Sequence, residues 1–141
     1  AINICEALLP DLTRLLGPDH PDTLATRGNL AAAYYAAGDL QTAINICEAL
    51  LPDLTRLLGP DHPDTLATRG NLAAAYYAAG DLQTAINICE ALLPDLTRLL
   101  GPNHPHTLAT RNNLAAARNE ARQASSPQAD GEAESAPPPE S

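Results

Sequence analysis

The chain has 141 residues, a formal net charge of -9, eight arginines, no lysine and only 3% aromatic residues. Nucleic acids and anionic membranes both attract clustered basic charge, so this composition argues against either as a partner. No apolar run approaches the roughly 20 residues that span a bilayer, and the start of the chain lacks the basic region and cleavage signature of a signal peptide.

A 42-residue internal repeat accounts for this composition. Residues 43–84 repeat residues 1–42 letter for letter, and a third copy begins at Ala85 and holds closely to Ala117. The substitutions within that copy are Asn103 for Asp19, His106 for Asp22 and Asn112 for Gly28. Because the first two copies carry a net charge of -3 each and residues 85–141 another -3, the charge belongs to the repeat and not to one acidic site.

Each unit predicts two helices, and the chain begins at a second helix. The first helix of a unit is expected from about Pro21 to Ala37, since Pro and Asp at its start and Gly38 at its end are typical helix boundaries. The second is expected from about Leu40 to Leu58, where apolar residues recur at helical spacing and Gly59-Pro60 follows. Short connections make consecutive helices antiparallel, and a fixed period stacks the pairs. The fold class is therefore all-α, a solenoid of about six helices.

One proline lies inside each predicted second helix: Pro10, Pro52 and Pro94. An interior proline removes a backbone hydrogen bond and costs about 3 kcal/mol unless the helix bends or restarts. We expect a bend at each, which tunes the curvature of the array; a functional hinge is the alternative.

The motifs of the unit resemble a known family. The run Leu58-Gly59-Pro60-Asp61-His62-Pro63 is followed in register by Asn71-Leu72-Ala73, Tyr76, Gly80-Asp81 and Ala85-Ile86. This combination resembles the tetratricopeptide repeat, in the 42-residue variant found in kinesin light chains and in C-terminal arrays of bacterial, especially actinobacterial, signalling proteins with an NB-ARC-type ATPase. The resemblance implies a right-handed superhelix. Leu50 departs from the pattern, which usually has a small Ala there, so looser or shifted packing is expected at that position.

The resemblance also implies a concave groove, lined by the first helices, that holds a peptide or partner protein. Asn29, Asn71 and Asn113 match the family's groove asparagine, and Tyr35 and Tyr77 are amphipathic anchors of the kind enriched at interfaces. The alternative is that these side chains satisfy a neighbouring helix or fill the core, as we expect of Tyr34 and Tyr76. The groove residues expected from the resemblance are Asn29, Tyr35, Asn71, Tyr77, Asn112 and Asn113. Gly28 and Ala32 stand where a carboxylate clamp has basic residues, which argues against capture of a peptide's C-terminus.

No residue pattern indicates catalysis, a cofactor or a metal. Cys5, Cys47 and Cys89 occur once per unit, too far apart to pair, and are expected to be buried, unpaired thiols in a reducing, cytoplasmic setting. His20, His62 and His104 each precede Pro and are expected to close the turn or cap the next helix. His104 and His106 are the one local pair that resembles a metal site, but no third ligand has suitable spacing. We therefore expect no enzyme within these residues.

The two ends of the chain differ. Repeats are predicted at 1–42, 43–84 and 85–123. In the last of these Leu108, Leu114 and Ala117 are kept as an apolar face that is expected to point inward, whereas Arg118-Asn119-Glu120 replaces Tyr-Tyr-Ala, as a capping helix requires. Residues 124–141 contain no Leu, Ile or aromatic residue and are expected to form a disordered acidic Pro/Ala/Ser tail.

The N-terminal helix is expected to lack a partner at Ile4, Cys5 and Leu8. This predicts further repeats, or an enzyme or ATPase domain, upstream, and self-association of the uncapped end. The sequence thus predicts a protein–protein interaction scaffold, and the alternative is a structural spacer or self-assembling module without a specific peptide ligand.

Overall fold

The computed structural model describes residues 2–125 and contains six α-helices in that part of the chain, with no strand. They are α1 (Ile2–Leu16), α2 (Pro21–Ala36), α3 (Leu40–Leu58), α4 (Pro63–Ala78), α5 (Leu82–Leu100) and α6 (Pro105–Ser125). The prediction of an all-α fold is confirmed, with helix ends within a residue of those expected for α2 and α3. The predicted disordered tail lies outside the described residues, except that Ala124 and Ser125 belong to α6.

Local capping explains where the helices begin and end. His20 is the N-cap of α2, and its Nδ1 accepts a hydrogen bond from the Asp22 backbone N–H at 3.1 Å, which satisfies one of the amides left without a partner in the first turn. Asp39 caps α3 in the same way by accepting from the Thr42 N–H at 3.3 Å. At the other end of α3, Gly59 has φ +98°, a conformation that L side chains rarely adopt. The predicted capping role of the histidines is confirmed.

The second helices continue without interruption through Pro10, Pro52 and Pro94. The expected bends stay a prediction. Three residues after Pro52, the Thr55 hydroxyl donates to the Leu51 carbonyl at 2.8 Å, and the same bond follows each of the other two prolines. Such bonds to the preceding turn often bend helices, so they favour the same outcome.

The helices stack in chain order, and each packs against the one before and the one after it. In addition α2 contacts α4 and α4 contacts α6, whereas among the described residues α1, α3 and α5 do not contact one another. The first helices of the units therefore lie closer together than the second helices. This places α2, α4 and α6 on the inner side of the stack, and we call their common face the groove.

The core consists of small and branched aliphatic side chains shared between successive units. One cluster joins Ala31, Ile44, Cys47, Leu72 and Ala75, and the next joins Ala73, Ile86, Cys89, Leu114 and Ala117. The cysteines are free thiols, as predicted, and burial raises the pKa of both Cys47 and Cys89. Cys5, in α1, is only half-buried.

Packing at Leu50 is not looser, contrary to the expectation from its size. Leu50 is 1% exposed and lies against Leu24 and Leu54. The room comes from Gly28 on α2, where an added Cβ would stand 3.9 Å from the Leu50 Cδ2, and Gly70 has the same relation to Leu92. A large residue on the second helix is thus matched by the smallest residue on the first.

Ion pairs connect the units on the surface. Arg27 donates to Asp53 at 2.7 Å, and Arg56 bridges Asp53 and Asp19 at 3.3 Å each. The hydrogen bond from Arg27, reinforced by Arg56, lowers the pKa of Asp53 below its ordinary value. The next unit repeats this arrangement with Arg69, Asp95, Arg98 and Asp61.

The outer helices leave apolar side chains uncovered. Ile4 and Leu8 on α1 are 70% and 44% exposed, as predicted, whereas Leu50 at the position equivalent to Leu8 is 1% exposed. On α6, Leu114 and Ala117 are buried as expected, but Leu108 is 38% exposed. The expectation of an inward Leu108 was wrong, because its equivalents in α2 and α4 are covered by α3 and α5, and no described helix packs on that side of α6.

Candidate functional site: the groove of the first helices

Three rows of equivalent side chains cross the groove, one position from each first helix. The row near the helix N-termini holds Asp22, Asp64 and His106. The middle row is Asn29, Asn71 and Asn113, and the row near the C-termini is Tyr35, Tyr77 and Asn119. The third unit therefore differs from the other two at both edges of the groove while keeping the central asparagine.

The central asparagines have free amide groups. All three are exposed, and none of their side chains makes a hydrogen bond within residues 2–125. Asn71 lines two cavities, one on each side of α4, and Asn113 lines one of them. A side-chain amide offers two donors and one acceptor, which match the polar groups of an extended peptide backbone.

Asn112 does not join this set. It is exposed and lines neither cavity. At the equivalent position of α4, Gly70, the nearest side chain to an added Cβ is Leu92 of the following helix. The position thus faces the helix packed behind the first helix, and in α6 that side is open.

The two tyrosines of the third row lie in different surroundings. Tyr35 is 42% exposed and lines a cavity of about 140 Å³ together with Ala32, Asn71 and Ala74. Tyr77 is half-buried, packs against the core cluster around Leu114, and forms a hydrogen bond with Glu120 that raises its pKa. Identical residues differ here because Tyr77 faces α6, whose sequence has diverged at Asn119 and Glu120.

Tyr34 and Tyr76, which we expected to serve packing, are half-buried and bonded to the preceding second helix. The Tyr34 hydroxyl donates to Glu6, and the Tyr76 hydroxyl donates to Glu48 at 2.5 Å. The bond to Glu48 raises the pKa of Tyr76 to about 12, because the carboxylate favours the protonated phenol. In the third unit Arg118 takes this place and pairs with Glu90 at 2.5 Å.

A larger cavity lies where α4, α5 and α6 meet, and we call it the second-junction pocket. It has a volume of about 450 Å³, within the range of roughly 300–1,000 Å³ typical of ligand sites. Its lining combines alanines and leucines with Asn71, Asn113, His104 and His106. The sequence pattern did not predict this pocket; its one signal in the sequence is His106, which stands where the other units have Asp22 and Asp64.

His104 and His106 stand at this pocket with their rings stacked, 5.2 Å between centroids. The His106 backbone N–H donates to the His104 Nδ1 at 3.1 Å, which is the same helix cap as in the other units. In the part of the chain that the structure describes, no group of three His, Cys, Asp or Glu is placed to hold a metal ion. None of the six described helices is long and apolar enough to cross a membrane.

Stacked antiparallel helix pairs with an inner groove define an α-solenoid repeat protein. The family model for the tetratricopeptide repeat matches residues 1–52, 29–94 and 71–126, so the chain belongs to the tetratricopeptide repeat family. A crystal structure of a Podosopora anserina putative kinesin light chain with nearly identical TPR-like repeats is similar, with 32% identity and a TM-score of 0.76. A crystal structure of a variant of that same protein gives 31% identity and a TM-score of 0.72.

These matches extend over most of the repeat array. They cover 82% and 90% of this chain, whereas the chain spans 55% and 60% of the two similar structures. A comparison with curated proteins gave no match. The resemblance to kinesin-light-chain-like tetratricopeptide repeats is therefore confirmed, and these repeats are generally modules of protein–protein interaction.

Proposed function

We propose that the groove binds an extended peptide segment of a partner protein. The observation that carries this proposal is the row Asn29, Asn71 and Asn113, three exposed amides, one on each first helix, that have no hydrogen-bond partner within residues 2–125. Polar side chains at regular intervals, next to apolar cavities, are what a bound backbone with alternating side chains requires. Tyr35 borders the same surface and adds apolar contact area with a polar tip.

The proposed setting is the cytoplasm, in the C-terminal part of a larger bacterial signalling protein. The support is the similarity of the unit to repeat arrays that accompany NB-ARC-type ATPases, together with the free thiols. The array would act there as a sensor or scaffold that positions a partner, and catalysis would belong to other proteins or domains.

The experiment uses peptides selected on the chain from a phage-displayed library of random 15-residue segments. Replacing Asn29, Asn71 and Asn113 together by alanine is expected to weaken binding by more than tenfold, because each amide loses its bonds to the backbone. The matched control replaces Asn45 and Asn87, which are exposed asparagines of α3 and α5 outside the groove, and is expected to leave binding unchanged. Equal affinity of both variants would refute the groove assignment.

A structural role in self-association is the second candidate. Its support is the uncovered apolar face of α1, where Ile4, Leu8 and Leu15 are 70%, 44% and 68% exposed. Exposed apolar patches of this kind favour association. Sedimentation velocity over a range of concentrations distinguishes the two: a strict monomer at high concentration contradicts assembly, whereas loss of assembly in Leu8→Asp supports it.

A further inference from the structure

The two junctions of the groove differ chemically, although their sequences are nearly identical. At the first junction, between α2 and α4, the residue at the N-terminal edge of α4 is Asp64; at the second, between α4 and α6, the equivalent residue is His106. Asp64 is exposed and has no ion-pair or side-chain hydrogen-bond partner within residues 2–125, so its charge is directed to solvent. The second junction replaces that charge by an imidazole stacked on His104.

The second-junction pocket is apolar, and no carboxylate is among the described residues that line it. Leu66, Leu92 and Leu96 form its floor and are 5%, 1% and 3% exposed, while Leu100 in its wall is 37% exposed. The polar lining consists of amide, hydroxyl and imidazole groups. In a chain with a net charge of -9, a lining without acidic side chains is complementary to an uncharged apolar group.

We propose that the second-junction pocket binds one large apolar side chain, of the leucine or phenylalanine kind, from an uncharged peptide segment. This rests on the proposed function and names the chemistry of its ligand. His106 directs the side chain to this junction, because a carboxylate at the same edge would lose its hydration when an apolar group covered it. Burial of a charge without a partner is costly, so Asp64 disfavours the same ligand at the first junction.

Asn71 and Asn113 set the position of the ligand's backbone. They belong to α4 and α6 on opposite sides of the pocket, and both line it. An extended segment that bonds to both amides carries its intervening side chain over the leucine floor. The cavity next to Tyr35 has a volume of about 140 Å³, less than a third of the 450 Å³ of the second-junction pocket, so the larger pocket is the better match for a large side chain and the backbone on either side of it.

The test measures binding of N-acetyl-leucinamide and N-acetyl-alaninamide to the full chain by ¹⁵N NMR, with α6 amides as reporters because their sequence differs from α2 and α4. N-acetyl-leucinamide is expected to shift the signals of Thr110 and Asn113, and N-acetyl-alaninamide is expected to bind at least about fivefold more weakly. Ala109→Leu fills the pocket and should abolish the shifts. Its matched control is Ala25→Leu, the equivalent exposed position of α2, which lies outside this pocket and should leave them unchanged.

The role of His106 has its own variants. His106→Asp restores the residue of the other units and is expected to weaken N-acetyl-leucinamide about tenfold. His106→Asn, which is neutral, should retain binding. Equal affinity of the Asp and Asn variants would overturn the role of His106, and N-acetyl-leucinamide shifts that persist in Ala109→Leu would overturn the pocket assignment.

The pocket and the proposed function can fail separately. If selected peptides bind through the asparagine row but N-acetyl-leucinamide leaves the α6 signals unshifted, this inference fails and the proposed function stands. If replacing the asparagines does not weaken binding of the selected peptides, the proposed function itself fails.

Discussion

At one position of the repeat, an equivalent glutamate accepts a hydrogen bond from tyrosine in two units and from arginine in the third. Glu6, Glu48 and Glu90 are equivalent, and they accept from Tyr34, Tyr76 and Arg118 respectively. The bond joins each second helix to the first helix that follows it. Replacement of tyrosine by arginine in the third unit preserves the connection and adds a charge at a polar outer surface, so the geometry of the stack is kept while its chemistry changes.

The Tyr76 pair makes a prediction for alkaline pH. Its pKa is raised from 10.0 to about 12, so the folded chain holds this proton more tightly than the unfolded chain does. The stability that the pair contributes is therefore complete below pH 10 and is lost as the pH rises towards 12. Ultraviolet titration of the phenols should show a component near pH 12 that is smaller by one phenol in Tyr76→Phe. Tyr35→Phe is the control, since its hydroxyl has no carboxylate partner within the described residues, and a smaller late component in that variant would contradict the assignment.

The sequence predicted where the groove asparagines lie on their helices, but it did not predict the different surroundings of the two tyrosines. Asn29 and Asn71 could be placed because the family motif fixes their position relative to the helix caps. Tyr35 and Tyr77 have the same neighbours in sequence but not in space: one borders a cavity, and the other packs under Glu120 of the diverged helix. That difference depends on a residue in another repeat unit, which no local pattern contains.

At the level of elements, the turn between units is held by a buried threonine. The Thr23 hydroxyl donates to the Gly17 carbonyl at 2.8 Å, and Thr65 donates to Gly59 at the same distance. Thr107 is equally buried, but its hydroxyl has no hydrogen-bond partner in the described structure. Two of the three turns are therefore tied to the start of the next helix by a side chain, and the third is not.

This contrast supplies a matched pair of substitutions. Thr65→Val keeps the shape of the side chain but leaves the Gly59 carbonyl without its donor, so we expect a loss of about 1 kcal/mol in the free energy of unfolding. Thr107→Val removes a buried hydroxyl that already lacks a partner and should be neutral or stabilising. Urea denaturation followed by circular dichroism measures both. An equal loss in the two variants would show that the bond to Gly59 contributes nothing specific.

Helix boundaries were predictable from sequence because caps are local, whereas packing partners were not. His20 and Gly59 act within a few residues, so their roles could be inferred directly. Leu50 was misjudged because its fit depends on Gly28, which lies on another helix. The proline-containing helices show the same limit, since an interior proline predicts a lost bond but not whether the surrounding packing keeps the helix continuous.

At the scale of the whole molecule, the two outer faces are complementary halves of the internal interface. Residues 2–16 of α1 have the same sequence as residues 44–58 of α3, so α1 presents Leu8 and Asp11 where α3 presents Leu50 and Asp53. On the opposite face, α6 presents Leu108 and Arg111 where α2 presents Leu24 and Arg27. Inside the array these residues form the Leu24–Leu50 contact and the Arg27–Asp53 pair. A second copy could repeat both contacts head to tail.

Asn112 opposes that arrangement. Its equivalents Gly28 and Gly70 leave just enough room for a leucine, with 3.9 Å between an added Cβ and the Leu50 or Leu92 Cδ2. The remaining atoms of an asparagine side chain would overlap Leu8 of a docked copy, and overpacking of a filled contact costs about 1–3 kcal/mol. Asn112→Gly should therefore strengthen head-to-tail association by about tenfold or more in sedimentation velocity, and Asn112→Ala should do so as well, because a Cβ fits at that distance.

Two variants control for other causes. Asn113→Gly introduces the same flexibility one residue further on and should leave the association unchanged. Adding Leu8→Asp to Asn112→Gly should abolish the gain, since it places a carboxylate against Leu108; association that persists in this double variant would show that α1 and α6 are not the surfaces that meet.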